Sequence, residues 1–263
     1  MVDLKGKKAL ITGASSGFGA DFADILAKKG MDLVITARRE EKLNALKAVI
    51  EEKYGVKVRV IVMDLTGFEA AEKLYSLVKD ENIDMLINNA GYGMYGWFEK
   101  QNAASLNRMV QLNVVAAFVL ANLFAKDLAE KNSGWILNVA SFAAFNPTPF
   151  YAVYGATKAF LMNFSVAMRT ELKKRGRNVC VTALCPGFTD TEFVQTANQK
   201  RSKLLEMIIG KSYPAAEEAI EGLLKNRPVV MPRLMNRLAA LFLRFLPRSI
   251  AAEAAFMSIR NKD

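Results

Sequence analysis

The sequence predicts an α/β fold with one doubly wound parallel sheet, and three observations carry that reading. Short β-branched runs alternate with amphipathic stretches of helical length from the first residues onward, as repeated strand–helix–strand units with right-handed crossovers do. The runs are apolar at nearly every position, as strands are when helices cover both faces of a sheet. The glycine-rich and polar motifs fall where those runs end, the side of such a sheet on which ligands bind.

Residues 8–12 read as the first strand and 18–29 as the first helix, with Gly30 as its C-terminal cap. Runs 33–36, 58–62, 85–87, 136–139 and 179–183 give five more buried strands, and 229–231 is a candidate seventh. No long Pro/Gly/Ser linker, low-complexity tract or short repeat interrupts the series. One domain is expected: a catalytic body over residues 1–232, with a substrate loop and helices near 188–213, and an amphipathic helical extension of the same domain over 233–263. With 263 residues, 52% of them hydrophobic, the chain can bury the core of such a unit.

Composition excludes several chemistries. Zero histidines and two cysteines leave too few ligands and bases for most zinc sites, for Cys–His catalysis or for a disulfide framework. Cys180 and Cys185 read as small apolar core residues in a reducing compartment. The first residues lack the apolar segment and cleavage site of a signal peptide, and no uncharged apolar stretch reaches the roughly 18 residues that span a bilayer. A cytoplasmic location is expected. The formal charge is +10 and uneven, with 12 Lys/Arg against 6 Asp/Glu in residues 200–263 and 24 against 20 in residues 1–199. That excess is not organised as a reader motif with interleaved aromatics, so nucleic acid is not an expected partner.

Thr12-Gly13-Ala14-Ser15-Ser16-Gly17-Phe18-Gly19 joins the first strand to the first helix. Glycines at 13, 17 and 19 permit a tight turn and a close approach of backbone to phosphate at a helix N-terminus. The turn lacks the lysine of a nucleoside-triphosphate loop, and Gly210-Lys211-Ser212 lacks the leading glycine, its place being held by Leu205. At the end of the second strand, where an acidic residue would accept from a free ribose 2′-hydroxyl, stand Arg38 and Arg39. Arg38 foremost, with Arg39 secondary, could pair with a 2′-phosphate, so NADP is preferred to NAD. Asp64-Leu65 ends the third strand, where a carboxylate could accept from an adenine amino group, and Asn88-Asn89-Ala90-Gly91 ends the fourth, beside the adenosine ribose. Taken singly, each of these fits turn chemistry equally well.

Tyr154 and Lys158 stand four apart, neighbours on one helix face. Tyr75 and Lys79 repeat the spacing, but only Tyr154 follows a strand end bearing a hydroxyl, Ser141. With these motifs in this order the chain resembles the short-chain dehydrogenase/reductase family over residues 5 to about 195: the glycine pattern, Asp64, Asn88 to Gly91, Asn113, Ser141, Tyr154, Lys158, Pro186-Gly187 and Thr191. The resemblance implies a Rossmann-type sheet and a homodimer or homotetramer. It implies Tyr154 as general acid/base, Lys158 lowering its pKa and holding the nicotinamide ribose, Ser141 positioning a carbonyl, and Asn113 supporting a proton-relaying water. Pro186, Gly187, Thr189 and Thr191 would lie against the nicotinamide. One departure stands in the glycine turn, where Ser15 and Ser16 occupy positions at which many NADPH-preferring relatives carry a basic residue.

An unperturbed tyrosine titrates near 10, so a base role at neutral pH requires a neighbouring positive charge, whereas in reduction the same phenol donates a proton. The expected activity is an NADPH-dependent carbonyl reductase or alcohol dehydrogenase, with a non-catalytic dinucleotide-sensing or scaffold protein as the alternative. Met94, Phe142, Tyr151 and Phe188 are candidate contacts for a small, bulky apolar substrate, though aromatic residues here could equally be core. Residues 233–247 read as one basic amphipathic helix, with Arg237, Arg244 and Arg248 in a stripe beside Leu234, Leu238, Leu241, Phe242 and Phe245. Its apolar face could cover the pocket, meet a partner subunit, or make a peripheral membrane contact.

Overall fold

The computed structural model describes residues 2–188 and 210–260. The elements run β1 (Lys8–Thr12), α1 (Gly17–Lys28), β2 (Asp32–Ala37), α2 (Glu40–Tyr54), β3 (Val58–Val62), α3 (Ala70–Val78) and β4 (Met85–Asn88). Next, α4 (Ala103–Val110) passes through a π turn (Gln111–Ala116) into α5 (Ala117–Glu130), and β5 (Gly134–Val139), α6 (Ala152–Lys174) and β6 (Val179–Leu184) follow. The described chain closes with α7 (Ser212–Leu224), β7 (Val229–Val230), α8 (Leu234–Leu243) and α9 (Arg248–Ile259). All seven expected strands form, and Thr189 and Thr191, with most of 188–213, lie outside the described residues.

The sheet is parallel throughout, in the order β3-β2-β1-β4-β5-β6-β7. The order reverses direction between β1 and β4, and the crevice outside their carboxyl ends is where such sheets bind ligands. Alternation along each strand splits the core into two layers. Ile11, Ile35, Ile87 and Leu137 point to the side covered by Phe22 and Leu26 of α1, Leu43 and Ile50 of α2, and Ile220 and Leu223 of α7. Leu10, Val34, Leu86 and Ile136 point to the side covered by Leu74 and Val78 of α3 and by Leu120, Phe124 and Leu128 of α5. Truncating one of these buried leucines to alanine costs about 2–5 kcal/mol.

The helical stretch Ala103–Glu130 is apolar and long enough to cross a membrane by length and composition. It packs along the sheet against β4, β5 and α6, as a core helix does. Cys180 is half-buried and Cys185 buried one residue past the end of β6; both are free thiols, in different core clusters.

The C-terminal extension differs from the single helix expected over 233–247. α8 ends at Leu243, and Pro247 begins a second helix as its N-cap residue, because proline cannot continue a helix but is well tolerated at its start. Arg248 therefore belongs to α9, out of register with Arg237, and Arg237 pairs with Glu218 of α7 and donates to the Met231 carbonyl.

Candidate active site

A cleft of about 720 Å³ opens along the carboxyl ends of the strands, within the size range of small-molecule sites. At one end lies the glycine turn. Gly13 adopts a left-handed φ of +67°, and a Cβ there would stand 2.8 Å from the Ala90 Cα, so no larger residue fits. Ser16 is the N-cap residue of α1 in extended conformation, but its side chain makes no cap bond to the helix. The first-turn N–H groups of α1 are thus left facing a region where a phosphate would be stabilised. Arg39 donates to Ser15 Oγ through Nε at 3.1 Å and Nη2 at 2.9 Å, and to Ser16 Oγ at 2.7 Å. The turn gains a guanidinium that its own sequence lacks, from the arginine ranked second in the sequence reading. Arg38 also lines the cleft. The hydroxyl of Thr36, which also lines the cleft, is buried with no hydrogen-bond partner among the described residues. An uncapped helix start, two guanidiniums and an orphaned hydroxyl fit a dinucleotide.

The asparagines after β4 are first of all braces. Asn89 donates from Nδ2 to the carbonyls of Thr12 and Gly13, at 2.9 and 3.1 Å, which locks the β4 end onto the glycine turn. Thr12 Oγ1 accepts from the N–H groups of Asn89 and Ala90, both at 3.0 Å. Asn88 Nδ2 donates to Asn138 Oδ1 at 2.9 Å, and Asn138 Nδ2 to Ser165 Oγ at 2.9 Å, a buried polar chain running from β4 through β5 to α6. Asn89, Ala90 and Gly91 still line the cleft, as do Leu65, Phe18 and Asp64, whose Oδ1 also accepts from the Thr66 N–H at 2.9 Å. Gly19 does not line it. A Cβ there would reach 2.2 Å from the Gly13 carbonyl oxygen, so this glycine serves close packing of helix on turn.

The reacting groups converge from three elements. Ser141, two residues beyond the end of β5, accepts from the Ala143 N–H at 3.1 Å and hydrogen-bonds Tyr154. Tyr154 and Lys158 share a face of α6, with Lys158 Nζ 5.7 Å from the Tyr154 ring centroid. Lys158 is 4% exposed and donates to the Val139 carbonyl at 2.7 Å. Asn113 sits fully buried in the π turn, whose extra residue per turn re-aims its side chain. Its Nδ2 donates to the Tyr92 carbonyl at 2.9 Å and to Thr157 Oγ1 at 3.1 Å, and its Oδ1 accepts from the Tyr92 N–H. Thr157 Oγ1 in turn donates to the Tyr154 carbonyl at 2.7 Å. Asn113 thus fixes the first turn of α6 from behind rather than lining the cleft.

Burial sets the titration of these groups. Desolvation pushes the Tyr154 phenol up to about 12, opposed by its bond to Ser141, and lowers the Lys158 ammonium to about 8. The expected downward pull of Lys158 on Tyr154 is therefore not the dominant effect in this structure. A phenol raised in this way is protonated at neutral pH, the form that donates a proton.

On the substrate side, Phe142, Tyr151 and Phe188 line the cleft together with Ala143, Asn146 and Thr148, but Met94 does not. The loop carrying Met94 turns aside where the Gly96 N–H donates to the Phe150 carbonyl at 3.0 Å, and Tyr95 stacks on Phe150 with ring centroids 5.1 Å apart. Phe150 holds a left-handed φ of 64°, strain of the kind found next to reacting centres. Pro186 and Gly187 line the cleft as expected, with the Phe142 N–H donating to the Pro186 carbonyl at 2.8 Å. The C-terminal extension covers the cleft, one of the placements expected of it, but through a different face from the Leu/Phe stripe: Asn236, Ala239 and Leu243 of α8 and Ala251, Ala255 and Ile259 of α9 close the far side. Gly187 leaves room for Asn236, whose Nδ2 would lie 2.7 Å from a Cβ at that position. The recurring alanines were the sequence signal for this inner face.

Residues 7–202 match the short chain dehydrogenase family. The chain is 37% identical over 180 residues to the very-long-chain 3-oxoacyl-CoA reductase of Neurospora crassa, a match covering 66% of this chain and 54% of that protein. Among solved structures, it is similar to a short-chain dehydrogenase from Sphingobium yanoikuyae in complex with NADPH, at TM-score 0.81 and 31% identity over 97% of this chain and 96% of that one. It is also similar to the bulky-bulky ketone specific alcohol dehydrogenase from Comamonas testosteroni, at TM-score 0.77 and 32% identity over 94% and 98% of the two chains. Matched over three quarters of its length and across the whole described sheet, the chain belongs to the short-chain dehydrogenase family of oxidoreductases.

Proposed function

We propose that the protein is an NADPH-dependent carbonyl reductase acting on a bulky apolar ketone or related carbonyl compound. The observation that carries this reading is the meeting of Ser141, Tyr154 and Lys158 in the cleft that also holds the glycine turn and Arg39. NADPH, when bound, supplies the hydride. Tyr154 donates its phenolic proton to the carbonyl oxygen as negative charge develops there, and Ser141 hydrogen-bonds the same oxygen. Lys158 would hold the nicotinamide ribose beside Tyr154, its ammonium anchored on the Val139 carbonyl. Asn113 keeps α6 in register. The phenyl and alanine lining favours an apolar substrate, in line with the bulky-ketone and very-long-chain acyl relatives.

Arg39, held on Ser15 and Ser16, and Arg38 beside it favour a 2′-phosphate over a free ribose hydroxyl. The outer faces of α5 and α6 favour a homodimer. Phe118 packs on Phe160 at 6.2 Å and Phe160 on Phe164 at 5.8 Å, and Phe160 remains 41% exposed. The test is a panel of ketones, aldehydes, 3-oxoacyl thioesters and steroids followed by NADPH absorbance. Oxidation of NADPH with a bulky member, faster than NADH, is the expected result. Tight NADPH binding with no turnover on any class would transfer the site to a dinucleotide-sensing role.

A further inference from the structure

The two C-terminal helices have unlike faces. Inward, α8 and α9 present Asn236, Ala239, Ala251 and Ala255 to the cleft. Outward, Leu234, Met235, Leu238, Leu241, Phe242 and Phe245 recur at positions i, i+1, i+4, i+7, i+8 and i+11, a single helical stripe. All six are exposed, Met235 at 74% and Phe245 at 79%. On α9, Ile250 and Met257 stand seven residues apart and are also exposed. Trp97, packed on Phe256 of α9 with ring centroids 6.0 Å apart, and its chain neighbour Phe98 add two exposed rings. A contiguous exposed apolar surface of this kind marks an interaction site.

Its charge identifies the partner. Residues 233–260 contain five arginines and one glutamate. Arg237 is committed to Glu218, while Arg244, Arg248 and Arg260 enter no ion pair among the described residues. Two copies meeting through this face would bring these like charges together across a two-fold axis. An anionic bilayer instead accepts the apolar stripe among its acyl chains and the arginines among its headgroups, with tryptophan at the boundary.

We propose that the outer face of α8 and α9 docks the protein on an anionic lipid surface, so that the roof of the cleft lies against the membrane. Delivery of a lipid-dissolved carbonyl compound through that roof rests on the carbonyl-reduction reading above; the docking does not. The full chain, saturated with NADPH, is sedimented with vesicles of phosphatidylcholine mixed with phosphatidylglycerol and with vesicles of phosphatidylcholine alone, at low and high salt. Wild type should sediment with the anionic vesicles at low salt and be released at high salt. Replacing Arg244 and Arg248 by glutamine should weaken anionic binding by roughly 25-fold, about fivefold for each charge. Phe242→Ser with Phe245→Ser should weaken it by more than about tenfold per ring, with the melting temperature retained because both rings are already in solvent.

The proposal is overturned if wild type fails to bind anionic vesicles at low salt, or if the serine variant binds as wild type does. It is equally overturned if light scattering shows that the serine substitutions reduce the protein to a smaller oligomer, which would assign the face to a second copy. Since sedimentation needs no turnover, a failure of carbonyl reduction leaves this result unaffected.

Discussion

Asn113 and Phe242 are placed against their own chemistry, in opposite directions. Asn113 is polar, fully buried, and makes three hydrogen bonds to Tyr92 and Thr157. Phe242 is apolar and 64% exposed on the outer face of α8. Each placement carries a cost that folding alone does not recover, since a buried amide must be fully satisfied to be tolerated and an exposed ring forgoes its burial. The first cost fixes the position of a reacting group, and the second leaves a surface available for contact. The comparison teaches where change is tolerated: the support behind the cleft is tightly determined, and the outer roof is not.

That contrast breaks or sharpens under substitution. The largest effect is expected at Gly13→Val, which combines left-handed strain with overpacking against Ala90. It should destabilise the fold by roughly 2–5 kcal/mol and abolish NADPH binding, as read by thermal unfolding and cofactor fluorescence. Next comes Arg39→Ala, which removes the charge-assisted fork from the turn. The preference for NADPH over NADH in kcat/KM should fall by the equivalent of roughly 1.5–3 kcal/mol; an unchanged ratio would move that role to Arg38. Asn138→Ala leaves Asn88 and Ser165 without their shared partner in the buried chain and should cost about 1–3 kcal/mol of stability in denaturant titration. The smallest effect belongs to Phe242→Ser, which should stay within about 0.5 kcal/mol of wild type in the same titration. A large loss there would mean that the ring is buried in the assembled protein.

The first two thirds of the chain could be read closely because its signals are local. β-branched runs marked all seven strands, and residues forced together by a tight turn or one helix face, such as Gly13 to Gly19 and Tyr154 with Lys158, showed their geometry in their spacing. What spacing could not show was tertiary. Arg39 reaches back 24 positions to Ser15, and Asn89 reaches back to the turn after β1, contacts that depend on the strand order rather than on either segment. Asn113 was marked only by the family resemblance, as the support of a proton-relaying water, and its hold on Tyr92 and Thr157 came from a π turn that no propensity marks. The extension read as one helix because its apolar period continues across Leu246-Pro247; the proline resets the register. Met94 was placed in the site by proximity in sequence, but its loop is drawn aside by the packing of Tyr95 and Phe150.

The most direct test of the central claim, proton donation by a buried phenol, is Tyr154→Phe assayed twice on one preparation. NADPH affinity is measured by fluorescence titration, and reduction of the best carbonyl substrate is measured by absorbance. The substitution removes one hydroxyl and the bond to Ser141 while leaving the ring. The account predicts unchanged NADPH affinity and a loss of about 10²–10⁴ in kcat, the usual contribution of a general acid. A variant with unchanged NADPH affinity that keeps more than about a tenth of the wild-type rate would contradict it.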